Sequence, residues 1–207
     1  MMETLGFCGI ENGITYSVHE DDGEYIATIN NHKEVETKTF RTERIGDKIF
    51  LLSFKKPYPG WEKFKERLTF CLDALQGTGL IGSVERFSLK YLNILPVDDA
   101  SSGLNEFKVS VNLGDHDLVD IGCQIKTEIR NGSFINIIQI IPQATVTPLY
   151  PGGGPSNGTM FDIDTIYDGD CSDFWEMKDE LLESAHLTEK EYFYKMLKTE
   201  TINKYDP

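Results

Sequence analysis

Apolar residues along this 207-residue chain switch between two rhythms, and the switches mark its elements. Up to residue 54 the period is close to two. Residues 13–18, 25–30, 35–40 and 48–54 alternate loosely and are separated by Asp21-Asp22-Gly23, Asn30-Asn31 and Ile45-Gly46-Asp47, residue types that favour turns. The double proline of Lys56-Pro-Tyr-Pro-Gly-Trp61 stops any strand. From there Trp61, Phe64, Leu68, Cys71, Leu72 and Leu75 fall at helical spacing. They predict a helix over 61–76 whose outer face carries Glu62, Lys63, Lys65, Glu66 and Arg67. Gly77 reads as its left-handed cap.

A strand follows over 84–95 and ends at Pro96. The polar segment 97–105 is the expected boundary between an N-terminal half, 1–96, and a C-terminal half, 97–207. Beyond it 107–113, 118–129 and 133–143 read as an antiparallel meander, with Asn131-Gly132 as a two-residue hairpin turn. Pro142, Pro148 and Pro151-Gly-Gly-Gly-Pro-Ser-Asn-Gly158 read as a mobile loop. Residues 159–167 form a strand with Asp162 and Asp164 on one face and Phe161, Ile163 and Thr165 on the other. The last stretch, 172–198, is helical. Ser172 is the expected N-cap, and Phe174, Met177, Leu181 and Ala185 mark the buried stripe. Thr188-Glu-Lys-Glu191 fits a capping box and a break near Leu187. A continuous helix also keeps the stripe, at the cost of one polar position near Glu189. Strand runs ahead of a helix, twice over, predict an α+β fold with antiparallel sheets in two halves, each backed by a helix and packed as one unit.

Composition narrows the class. Hydrophobic residues at 40% with 11% aromatics exclude disorder, and the chain is long enough to bury a core without a staple. Thirty-four acids against 20 bases give a net charge of −14, which repels nucleic acid phosphates and anionic membranes. The charge is uneven: residues 25–70 hold ten bases and six acids, a mildly basic island between acidic flanks. Cys8, Cys71, Cys123 and Cys171 are scattered without a CxxC pair, as suits reduced thiols. With neither a secretory signal nor an apolar stretch near 20 residues, the expectation is a cytoplasmic protein that does not enter membranes.

Gly77-Thr-Gly-Leu-Ile-Gly82 spells GxGxxG, but a dinucleotide site needs a strand before it and a helix after it, and here the order is reversed. Asp162, Asp164, Asp168 and Asp170 form the sharpest acidic cluster. Two alternating carboxylates on one strand face supply hard oxygen ligands for Mg²⁺ or Ca²⁺, while an exposed strand face followed by capping acids explains the same residues. The histidines at 19, 32, 116 and 186 are far apart, and His186, a turn beyond Glu183, suggests an ordinary ion pair. Tyr58 and Trp61 beside Lys55 and Lys56 come nearest to a base-stacking surface, with Trp61 read first as the helix's core anchor. No nucleophile or phosphate-cradle motif assigns a catalytic or cofactor-binding residue.

Lys56-Pro-Tyr-Pro-Gly-Trp-Glu62, the strand Glu85-Arg-Phe-Ser-Leu-Lys-Tyr-Leu-Asn-Ile94, Phe161-Asp-Ile-Asp164 and a long C-terminal helix with His186 and Phe193 come in this order. The order resembles an uncharacterised family of sporadic bacterial and archaeal proteins with a YPGWE … R(Y)-hydrophobic-Asn pattern. Lys90 stands where that pattern has Arg, and residues 1–24 look too short and acidic for the family's opening strand and helix. The resemblance implies organisation and a cytoplasmic setting and transfers no catalytic residue. The function expected is that of a non-enzymatic binding or interaction protein, an accessory component in a sporadically inherited system. It would engage a protein partner or form a homodimer, and would bind no nucleic acid. The rivals are a divalent-metal-dependent enzyme using Asp162 and Asp164, and an acidic mimic of nucleic acid.

Overall fold

The computed structural model describes residues 3–11, 16–21, 24–29, 33–37, 43–45, 49–53, 58–79, 81–96, 103–121, 123–146 and 156–205. Six strands open the chain: β1 (Glu3–Glu11), β2 (Tyr16–Asp21), β3 (Glu24–Ile29), β4 (Lys33–Thr37), β5 (Glu43–Ile45) and β6 (Ile49–Ser53). Helix α1 (Trp61–Gly77) and strand β7 (Arg86–Leu95) follow. After the small elements β8 (Asn112–Leu113), β9 (His116–Asp117) and α2 (Leu118–Ile121) come three long strands, β10 (Ile125–Asn131), β11 (Phe134–Val146) and β12 (Ser156–Tyr167). Helices α3 (Phe174–Met196) and α4 (Thr199–Tyr205) close the chain. The fold is α+β, and all ten long-sheet strands pair antiparallel in the order β10-β11-β12-β7-β1-β6-β5-β2-β3-β4. The strands of the two halves join edge to edge, because β7 is hydrogen-bonded to β1 on one side and β12 on the other.

Alternation along β7 sets the layers. Phe87, Leu89, Tyr91 and Asn93 are buried toward the helices, while Ser88, Lys90 and Leu92 between them are half-buried on the opposite face. Helix α1 lays Phe64, Leu68, Cys71, Leu72 and Leu75 on this sheet, as its spacing predicts. Together with Leu52, Phe87, Leu89 and the first half of α3 they form one core cluster. A second cluster gathers Leu95, Phe107, Ile138, Ile140, Phe161 and Ile163 under the second half of α3. Among the described residues no helix is long and apolar enough to cross a membrane.

Several local expectations change. The positive φ at the end of α1 belongs to Gly79, at 64°, not Gly77, which completes the helix. Thr78 closes that end by donating its hydroxyl to the Leu75 carbonyl at 2.6 Å. Helix α3 starts one residue later than a Ser172 cap would place it: Asp173 is the N-cap, and Met177, assigned to the stripe, is exposed. The helix runs unbroken through Leu187, so the capping-box break does not occur and Glu189 is carried into the interior. The expected strand over 107–113 is reduced to β8, paired with β9 in a short hairpin, and the start of the expected strand over 118–129 is the helical turn α2, with β10 beginning only at Ile125.

Pro142 does not end β11. The strand continues past it through a bulge between Ile141 and Ala144, where Gln143 takes φ 54°. A bulge is where a residue with no N–H to donate fits a ladder. Residues 147–155 of the expected loop lie outside the described residues. The turns expected at Gly46-Asp47 and Asn30-Asn31 lie there too.

Candidate functional site

A cavity of about 260 Å³ opens at the seam between the two core clusters, where α3 passes over β7. Three elements build its wall. Alternation in β7 points Tyr91 and Asn93 at it, in line with Phe87 and Leu89. Helix α3 adds His186, Glu189, Lys190, Phe193 and Tyr194, whose spacing of 3, 1, 3 and 1 is one helical face. The turn before α1 adds Tyr58, and the first residue of α1 adds Trp61. Gly60 between them has φ 90°, which other residues rarely adopt, and its carbonyl accepts the Phe64 N–H that starts the helix.

The aromatic groups hold one another in place. The Tyr58 and Tyr91 hydroxyls are 2.9 Å apart with their rings edge to face. The Tyr91 hydroxyl is also 3.3 Å from His186 Nδ1. Trp61 donates its indole N–H to Glu183 at 3.1 Å, and Lys65 reaches the same carboxylate at 2.6 Å. The expected Glu183–His186 ion pair is therefore replaced. Glu183 is occupied by Lys65 and Trp61, and the Lys65 ammonium foremost holds its carboxyl below the usual range. Burial pushes His186 down to about 4, so its ring is neutral at pH 7.

Glu189, marked in the sequence only as a polar position in the stripe of a continuous helix, is a wall residue of the cavity. Only 5% of it is exposed, it lines the cavity, and no hydrogen bond or ion pair joins it to another described residue. Burial raises its carboxyl to about 8, opposed only by the neighbouring Lys190 ammonium. Burial also holds the Tyr58 phenol above its usual range. At pH 7 the cavity thus presents a neutral imidazole, the neutral Tyr58 phenol and a carboxyl that is mostly protonated. The signal in the sequence was the polar residue that a continuous α3 forces into its own stripe.

The four aspartates singled out by spacing do not converge. Asp162 and Asp164 share the sheet face away from the helices, as alternation predicts, but Asp162 is buried rather than exposed. Its Oδ2 pairs with Lys90 at 2.9 Å. Asp168 is turned to Arg130, at 2.6 Å, and Asp170 accepts the Ser172 N–H in the turn before α3. Among the described residues no three His, Cys, Asp or Glu side chains are grouped as metal ligands. Burial raises the carboxyls of both Asp162 and Asp164, against the pull of Lys90 on both, Lys126 on the first and Arg86 on the second. Two carboxylates facing three cations leave little field for a divalent ion.

No family model matches the chain, and no curated protein or solved structure matches it.

Proposed function

We propose that the protein is a non-enzymatic, cytoplasmic binding protein that engages a protein partner through the cavity between α1, β7 and α3. The observation that carries this reading is the make-up of the wall: five aromatic rings around one buried, unpartnered carboxyl. Aromatic side chains recur at recognition sites because they bury large area at low entropic cost. His186, the one imidazole in the cavity, titrates near 4 and is stacked against Trp61, which suits a wall better than a base working at neutral pH.

The test places a benzophenone-bearing amino acid at Lys190, on the exposed rim, and irradiates intact source cells. A discrete protein adduct is expected there, and none with the same label at exposed Leu113 on the β8–β9 hairpin, which does not line the cavity. An adduct of twice the chain's mass identifies a second copy as the partner. Equal labelling at both positions would overturn the reading, as would no adduct at Lys190.

A second reading, a divalent-metal-dependent enzyme, keeps one observation in its favour. The Oδ1 atoms of Asp162 and Asp164 are both buried without a partner among the described residues. Lys90 already occupies the position between the strands that such an ion would need.

A further inference from the structure

A binding cavity must also select what enters it. We infer that this one receives an alkylammonium or guanidinium group on a short aliphatic chain, as the Lys and Arg side chains of a basic partner present it. The inference rests on the cavity being the binding site and names the chemistry it accepts.

Three observations converge. First, Glu189 is only 5% exposed, lines the cavity and has no hydrogen bond or ion pair to another described residue, so a carboxylate there lacks a buried counter-charge. Charged groups on largely buried side chains are normally paired, and a carboxyl that borders a cavity without a partner offers a place for a ligand cation. Second, the walls are Tyr58, Trp61, Tyr91, Phe193 and Tyr194. Aromatic rings offer a cation a negative face and an alkyl chain an apolar surface, and neither favours an anion. The chain already uses this chemistry nearby, with the Lys65 ammonium 5.9 Å from the Trp61 ring centre. Third, the charge balance of the molecule is −14, which draws basic partners and steers their approach.

The charged and titratable groups around Glu189 are few. From α3 they are His186, neutral above pH 6.5, together with exposed Lys190 and Tyr194. From β7 there is Tyr91, and from the turn before α1 there is Tyr58, which burial keeps protonated. Lys65 is held by Glu183 at the edge. Lys190 is the cation already in place, exposed at the rim of the cavity rather than buried with Glu189. A ligand cation that contacts Glu189 favours the ionised carboxyl and expels its proton, so entry of the cation and loss of one proton are the same event.

The experiment is calorimetric titration of the intact protein with n-butylammonium, n-butylguanidinium and, as the uncharged control, n-butanol. A hexapeptide carrying one central Lys forms a parallel arm, with norleucine in that place as its control. The cations are expected to bind in the millimolar range or tighter, and n-butanol at least tenfold more weakly. Affinity should rise about tenfold per pH unit from 6.5 to 8 and level off above, with close to one proton released at pH 7 in buffers of different ionisation enthalpy. Glu189→Gln, which keeps size and folding and removes the charge, should weaken binding at least tenfold and flatten the pH profile. Binding of the Lys peptide at least tenfold tighter than n-butylammonium assigns the cation to a protein partner, and equal affinity assigns it to a free amine.

The inference is overturned if n-butanol binds as well as the cations, if affinity is independent of pH and of Glu189→Gln, or if neither cation binds at about 50 mM, beyond the millimolar range expected. An adduct at the Lys190 rim without cation binding would leave the binding reading standing and remove this one.

Discussion

The indole of Trp61 and the imidazole of His186 lie face to face, with centroids 4.2 Å apart and planes 10° from parallel. This stack joins the first residue of α1 to the middle of α3. It also seals His186 from water, and that sealing is the main cause of its low proton affinity.

Trp61→Ala should therefore let water reach the ring. The His186 titration, followed by NMR of its ring protons, is expected to move from about 4 toward the ordinary 6.5. A value unchanged by the substitution would assign the shift to Lys65 and Lys190 instead.

Glu189 and His186 impose opposite pH dependences on stability. Glu189 titrates near 8 when folded against 4.5 when unfolded, so between those values the folded chain holds a proton the unfolded chain has released. Its contribution falls as pH rises through that window. His186 titrates near 4 when folded against 6.5, so its contribution is lost as pH falls below 6.5. The two oppose each other in acid, and above pH 6.5 Glu189 acts without His186. Urea unfolding of the parent should weaken from pH 6.5 to 8 relative to Glu189→Gln, by up to about 1.4 kcal/mol per unit. Parallel curves for the two proteins would mean an ordinary carboxyl.

Leu68 is fully buried between α1 and the sheet. Leu68→Ala removes its contacts and leaves a hole, at a cost of about 2–5 kcal/mol. Denaturant unfolding that places the variant within error of the parent would contradict the packing of α1.

The Lys90–Asp162 pair predicts a different pattern. Lys90→Met leaves the buried Asp162 carboxylate without its counter-charge and should cost about 3 kcal/mol, near the low end for such pairs because the Lys90 side chain is 36% exposed. Adding Asp162→Asn should recover part of that loss. Millimolar Mg²⁺ or Ca²⁺ should leave the melting temperature of the parent unchanged, and a rise abolished by Asp164→Asn would favour the metal-dependent enzyme.

Legibility in the sequence followed the strength of each local pattern. The α1 stripe spans four turns and survives, and β10 and β11 form a hairpin one residue on from the expected Asn131-Gly132 turn, with Asn131 paired to Phe134 and Gly132-Ser133 between them, Gly132 at φ 58°. Strand β5 has no signature in the sequence, because three residues, Glu43–Ile45, carry no period of their own and Ile45 also opens the expected Ile45-Gly46-Asp47 turn. Strand β1 was hidden by glycines at 6 and 9 within a nine-residue stretch. The cavity was legible only in fragments. Tyr58 and Trp61 were noticed for their lysine neighbours, His186 for Glu183, and Glu189 as an awkward position in a stripe. Residues from three elements converge through the crossing of α3 over β7, and no local spacing encodes that crossing.

The pairing of β1 with β7 also orders events while the chain is being made. Phe7 lies opposite Lys90, more than eighty residues downstream, so one edge of β1 stays open until β7 has left the ribosome. Open strand edges are templates for wrong partners during slow, non-local folding. Glutamates at both ends of β1 and the two glycines inside it make this strand a poor template for another chain. The same features that weaken its signature in the sequence protect it on the way to the fold.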